Sequence, residues 1–245
     1  MRRAANRSGG RLAMRVLLIS ATASQMKCGI GDYTTLLADA LADQGCEVYF
    51  ATATDQPEQE NGPKHNPIRW INVDCWNVKS LKRIAQSFVN DPPDVVHLQY
   101  PAKVFRRSMG ILLAPLIFRT ILKRPFVTTL HVFRKMVLYK KPPFLVLVVG
   151  SDHIVVTAPR EKQTLYKLGF GHRTTVIPIG SNFSLSFDPM AYVGKRDLIR
   201  SQFGIGPQEF VLCNFGFLDP NKKLERVVEA VARLSLEMPH RWRTL

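Results

Sequence analysis

The chain has 245 residues, 34 Lys and Arg against 19 Asp and Glu, and 46% hydrophobic residues, enough apolar material for one or two packed domains and too much for a disordered or fibrous protein. Its net charge of +15 predicts an anionic partner, whether nucleic acid, nucleotide diphosphate or acidic membrane surface. Four cysteines, Cys28, Cys46, Cys75 and Cys213, form no C-x-x-C pair, which disfavours a zinc ribbon, a redox pair or a secreted disulfide scaffold and fits a reducing cytoplasm.

Residues 1–13 (MRRAANRSGGRLA) hold four arginines and no acid. They lack the apolar run of a secretory signal; their Arg and Ser content resembles a transit peptide, but a disordered basic leader, or a misassigned start with Met14 as the first residue, is the preferred reading. Residues 15–20 (RVLLIS) read as a strand. Residues 32–44 read as a helix with Leu36, Leu37, Ala40 and Leu41 at helical spacing, Asp32 as N-cap and Gly45 as stop. Strand signals recur at 47–52, 68–73, 94–100, 125–132, 153–158 and 174–179. Helices are predicted over 78–89, 104–122 and 159–168, the last with Pro159 at its first turn and Gly169 just past its end.

Strands made of nearly continuous Val and Ile runs belong to a parallel sheet covered on both faces. The predicted fold class is therefore α/β, a doubly wound, Rossmann-like parallel sheet over residues 14–182. Residues 183–208 break the rhythm as a linker, although 192–203 has a helical pattern, and 209–245 restarts it with a strand at 209–214, a turn at 216–221 and an amphipathic helix at 224–238. One βα unit cannot bury its own sheet, because its strand has no neighbours, so 209–245 is expected to be an incomplete second Rossmann-like domain.

No run reaches the roughly 20 apolar residues needed to span a bilayer. Residues 109–118, flanked by Arg106, Arg107, Arg119, Lys123 and Arg124, fit either a helix lying in a membrane interface or a buried crossover helix with solvated ends.

In an open α/β sheet, ligands bind beyond the carboxyl ends of the strands. Lys27-Cys28-Gly29-Ile30-Gly31-Asp32-Tyr33 follows the first strand and opens a helix, so its glycines either let backbone amides approach a phosphate or sugar, or only form a tight loop. It is a poor dinucleotide fingerprint: Thr34 stands where a third glycine belongs, and the second strand ends in Ala51-Thr52 without the acid that holds an adenosine ribose. A nicotinamide oxidoreductase is thus a distant alternative. His97 and His131 lie at or near the ends of their strands, where an imidazole can donate to a substrate oxygen or take a proton; each is also compatible with packing. No paired-carboxylate, H-E-x-x-H or G-x-S-x-G signature and no metal cluster is present, and the basic residues form no recognisable nucleic-acid module.

In order, C-G-I-G-D-Y-T-T-L-L-A-D-A-L at 28–41, D-V-V-H-L-Q-Y at 94–100, T-L-H at 129–131, S-D-H-I-V-V-T at 151–157, V-I-P-I-G-S-N at 176–182 and G-F-L-D-P-N-K-K-L at 216–224 resemble family 4 of the GT-B glycosyltransferases. The resemblance implies an N-terminal, acceptor-side Rossmann-like domain and the start of a nucleotide-sugar-binding domain. It implies transfer of a sugar from a nucleotide-diphosphate co-substrate to a carbohydrate or glycolipid acceptor, with retention and with neither metal nor other cofactor. It implies His131 at the reaction centre, Gly29, Gly31 and Lys222 at the donor phosphates, and Asp32, Tyr33 and His97 toward acceptor or sugar. Phe217 stands where many members carry an arginine, and Lys223 replaces a usual glycine. The chain also ends before the family's carboxylate-containing donor motif, so this short form is expected to be inactive or partner-dependent, and a non-catalytic binding module is the main alternative. A cytoplasmic protein, in peripheral contact with an anionic membrane and without a nucleic-acid partner, completes the expectation.

Overall fold

The computed structural model describes residues 13–23, 29–53, 68–101, 105, 108–131, 142–180, 190, 193–213, 223–237 and 242–244. The chain divides into two compact units, Met1–Asn182 and Phe183–Leu245.

The first unit is built on seven parallel strands: β1 (Arg15–Ser20), β2 (Glu47–Thr52), β3 (Arg69–Asn72), β4 (Val95–Pro101), β5 (Phe126–His131), β6 (His153–Val156) and β7 (Thr174–Val176). They are ordered 3-2-1-4-5-6-7. Crossovers are made by α1 (Gly29–Asp43), α2 (Val78–Ser87), a short 3-10 turn (Met109–Leu113) running into α3 (Ala114–Leu122), α4 (Pro142–Gly150) and α5 (Pro159–Lys167). After β1 the chain lays β2 and β3 on one side and then crosses to β4 on the other, so the strand order reverses between β1 and β4.

Side chains alternate across each strand, so the two faces of the sheet can be read separately. On one face Leu17, Ile19, Val96, Leu98, Phe126, Leu130, Ile154 and Val156 pack with Leu81, Phe118, Leu147 and Leu165 from α2 to α5. Removing a side chain such as the fully buried Phe118 from water stabilises the fold by about 1.5–3 kcal/mol. On the opposite face Val16, Leu18, Val48 and Phe50 pack against Ala38 and Ala42 of α1, whose small side chains bring the helix close to β1 and β2. At the strand starts, buried Arg15 donates from Nη2 to the Tyr49 hydroxyl at 2.6 Å and from Nη1 to the Asp91 carbonyl at 2.8 Å, and its Nε lies 3.0 Å from Glu47 Oε2.

Strands β1 and β2 fall where their sequences predict, and the other strands lie within the predicted stretches or overrun them by one residue. Helix α1, however, opens at Gly29, three residues before the predicted N-cap. Asp32 therefore does not cap the helix; it sits in the first turn, where its charge complements the helix dipole. The reason is steric: a Cβ on Gly31 would stand 2.4 Å from the Ala23 carbonyl oxygen, so only glycine lets this turn seat against the chain leaving β1. Gly45, at φ +84°, ends the helix as predicted. Helix α4 was not predicted; its sequence PPFLVLVVG has no polar face and so no 3.6-residue period.

In the second unit, α6 (Arg196–Gln202) forms inside the stretch read as linker, followed by β8 (Phe210–Leu212), α7 (Leu224–Glu237) and β9 (Trp242–Thr244). The expectation that its strand has no neighbour is corrected: β8 pairs in parallel with β9, Phe210 opposite Trp242 and Leu212 opposite Thr244. A three-residue strand containing Arg243 gives too short a pattern to read. Ile205 is buried in this unit, whereas Phe210, Val228 and Leu236 are exposed. The predicted turn at 216–221, with Lys222, lies outside the described residues.

Candidate active site

The strand order reverses between β1 and β4, and the carboxyl ends of the strands at such a reversal are where folds of this kind bind ligands. On the α1 face, the strands there stop being apolar. Ser20 of β1 pairs with Gln99 of β4, and Gln99 with Thr129 of β5, forming one row across three strands; His131 follows two residues beyond Thr129. Adjacent strands are about 4.8 Å apart, so the row spans about 10 Å. Ser20, Gln99, Thr129 and His131 are all buried.

The hydrogen bonds fix which imidazole nitrogens carry protons. The amide oxygen of Gln99 can only accept, so His131 Nε2, 2.8 Å away, donates to it. The amide nitrogen of Gln99 can only donate, so His97 Nε2, 3.1 Å away, accepts from it and also accepts from the Thr129 hydroxyl at 2.8 Å. Neutral His131 therefore bears its proton on Nε2 and leaves the lone pair on Nδ1 bare. That Nδ1 is buried and has no hydrogen-bond partner among the described residues, and the same holds for the hydroxyls of Ser20 and Thr22. His131 is 2% exposed, and the Tyr33 ring meets it edge-on with centroids 5.2 Å apart.

Burial holds the His131 imidazole down at a pKa of about 4. His97 is likewise lowered to about 4, first by burial and then by a positive charge on His131. Both rings are thus neutral near pH 7, and His131 offers a fixed acceptor instead of a cation or a base poised near neutrality. Burial also pushes the Tyr33 phenol up, keeping it protonated.

Of the residues singled out from sequence, the fold brings together Tyr33, His97 and His131. Gly29 opens α1 at an exposed position with open space where a Cβ would stand. Gly31 is buried against Ala23, a contact that explains its identity by packing. Asp32 is half-buried in the same turn. Cys28 and Lys222 lie outside the described residues. Sequence reading missed Gln99, Thr129, Ser20 and Thr22. The available signal was polar alternation, His97 with Gln99 and Thr129 with His131, inside strands otherwise read as continuous apolar runs. Among the described residues no group of His, Cys, Asp and Glu could hold a metal ion, and no helix is long and apolar enough to cross a membrane.

The sequence model described as Glycosyltransferase Family 4 matches residues 28–184, which include α1, β4 and β5. Among solved structures, a glycosyltransferase from Rickettsia africae ESF-5 superposes with a TM-score of 0.61 at 15% identity, over 96% of this chain and 68% of that one. The catalytic domain of starch synthase IV from Arabidopsis thaliana, bound to ADP and acarbose, gives a TM-score of 0.57 at 12% identity, over 95% of this chain and 68% of that one. At these identities the likeness is one of fold. Comparison with curated proteins yields no match.

Proposed function

This chain belongs to Glycosyltransferase Family 4, and on that premise we propose that its first unit binds a sugar at the β1–β4–β5 rim for transfer from a nucleotide diphosphate to a carbohydrate or lipid-linked acceptor. The observation that carries the proposal is the buried Nδ1 of His131, which, like the buried hydroxyls of Ser20 and Thr22, has no hydrogen-bond partner among the described residues. A buried polar atom without a partner costs about 1–3 kcal/mol, and a sugar hydroxyl entering the rim would supply the missing hydrogen bonds.

The reaction breaks the bond between the anomeric carbon and the diphosphate oxygen, forms a bond from that carbon to an acceptor oxygen, and releases the acceptor's proton. Negative charge grows on the leaving phosphate and positive charge on the sugar. In this reading His131 Nδ1 accepts from a hydroxyl of the transferred sugar and holds its anomeric carbon in place. Tyr33 closes one side of the ring, and Asp32 and His97 flank the acceptor side. In the same reading the amides of the first α1 turn, around Gly29 and Gly31, serve the donor phosphates. The family resemblance supports retention of anomeric configuration.

Titration with UDP-, GDP- and ADP-sugars, read by thermal stabilisation and by radiolabelled sugar transfer, tests the proposal. One nucleotide sugar is expected to stabilise saturably, and His131→Ala is expected to lower turnover at least about tenfold, as loss of a transition-state contact does. Wild-type turnover in His131→Ala would remove that residue from the site. Saturable stabilisation by NAD and by none of the sugars would point to an oxidoreductase instead.

A further inference from the structure

Between Asp94 and Asp152 the sequence contains no acidic residue and ten Lys and Arg, so this stretch alone carries most of the net charge of +15. Its described part includes α3, whose buried side is formed by Ala114, Pro115, Phe118 and Leu122. Leu113, Leu116, Thr120 and Lys123 follow one another at spacings of three and four residues and form the outward stripe, on which Leu116 is 47% exposed. Met109, ahead of this stripe, is 59% exposed. Helix α4 meets α3 closely: a Cβ on Gly150 would stand 2.9 Å from the Pro115 Cβ. The same Cβ would lie 3.6 Å from Cδ2 of Leu116 on the stripe, and Val149, the residue before Gly150, is 55% exposed.

At the far end of α3 the stripe runs into an open groove of about 600 Å³ lined by Leu116, Arg119, Thr120, Lys123, Arg124 and Asp152. Asp152 is already satisfied: it lies 3.0 Å from the Arg119 guanidinium and accepts from the Phe126 N–H at 2.9 Å. Lys123 and Arg124 have no acidic partner among the described residues. Lys123, in the left-handed conformation at φ 53°, caps the helix through its N–H to the Arg119 carbonyl, which fixes this basic corner in place.

We infer that the α3–α4 face docks on an anionic phospholipid bilayer, with the aliphatic stripe in the interface and lipid phosphate in the Arg119–Lys123–Arg124 groove. An acid-free cationic segment complements a negative membrane surface, and exposed aliphatic side chains between cations gain by entering the acyl boundary. A single-stranded nucleic acid would instead call for exposed aromatic platforms among the cations, and among the described residues of this face the exposed large side chains are Met, Leu and Val. The docking does not depend on the sugar-transfer reading; only its use in presenting a lipid-linked acceptor does.

Co-sedimentation of the whole chain with phosphatidylglycerol–phosphatidylcholine vesicles, and with phosphatidylcholine vesicles alone, tests this. Capture by the anionic vesicles is expected to fall at least about tenfold as salt rises from about 0.05 to about 0.5 M. Leu116→Glu and Lys123→Glu are each expected to lower it severalfold, and Leu236→Glu, on the second unit, to leave it unchanged. Thermal melts report whether each variant folds, and Met109→Glu repeats the test should Leu116→Glu fail to. Absence of capture by anionic vesicles at low salt overturns the inference. So does undiminished capture of the folded Leu116→Glu protein, and displacement by polyuridylate in that case would identify the face as a general polyanion surface.

Discussion

The two faces of the first sheet obey different rules. Under α2 to α5 the face is apolar from β1 to β6 except at Thr128, whose buried hydroxyl is satisfied by Ser151 at 2.7 Å. Under α1 it is apolar only as far as β1 and β2; from the end of β1 through β4 and β5 it carries Ser20, His97, Gln99, Thr129 and His131. Polar atoms of Ser20, Thr22 and His131 there are buried with no hydrogen-bond partner among the described residues. A sheet selected for stability alone would fill these positions with Val and Ile. One face therefore makes the fold, and the other withholds part of the gain to keep hydrogen-bonding capacity at its edge.

The contrast can be broken at either face. The largest effect is expected on the apolar side, where Phe118→Ala should cost about 3–5 kcal/mol in denaturant unfolding; a loss below about 1 kcal/mol would deny that this face carries the fold. Next comes the pH response of the polar face. A histidine at its ordinary value near 6.5 when unfolded and about 4 when folded stabilises the protein fully above pH 6.5 and loses that contribution as pH falls toward 4. Stability should decline by up to about 1.4 kcal/mol per pH unit for each such ring, and His131→Asn should flatten the curve. An unchanged slope in that variant would show the ring to be solvated. Smallest is Gln99→Leu, expected to cost about 1–2 kcal/mol because it leaves the His131 N–H without its acceptor. Nitrogen-15 spectra of the imidazoles should show His131 protonated on Nε2 in the wild type and a mixture of tautomers in Gln99→Leu. A wild-type ring protonated on Nδ1 would reverse the hydrogen-bond assignment.

Legibility from sequence follows the same division. Strands β1 and β2 were readable because burial on both sides leaves unbroken runs such as RVLLIS, and the sheet class followed from them. His97, His131 and Tyr33 were readable as candidates, the histidines from their place at strand ends and Tyr33 through the family resemblance. Gln99 and Thr129 were not, because glutamine and threonine have many uses and only the pairing of β4 with β5 brings them to the histidines. The start of α1 was misplaced because the contact of Gly31 with Ala23 is tertiary and leaves no local trace. Helix α4 escaped because an all-apolar segment has no moment to detect, and β9 because three residues are too few for any period.

The seat of Gly31 on Ala23 also bears on how such a rim can diversify. With Gly31 seated on Ala23, the first turn of α1 is tied to the chain leaving β1, and Tyr33, two residues on, is held against His131 by the same seat. Any side chain at position 31 would push that turn off the strand exit and carry Tyr33 with it, so variation at this rim is confined to positions that leave the seat intact.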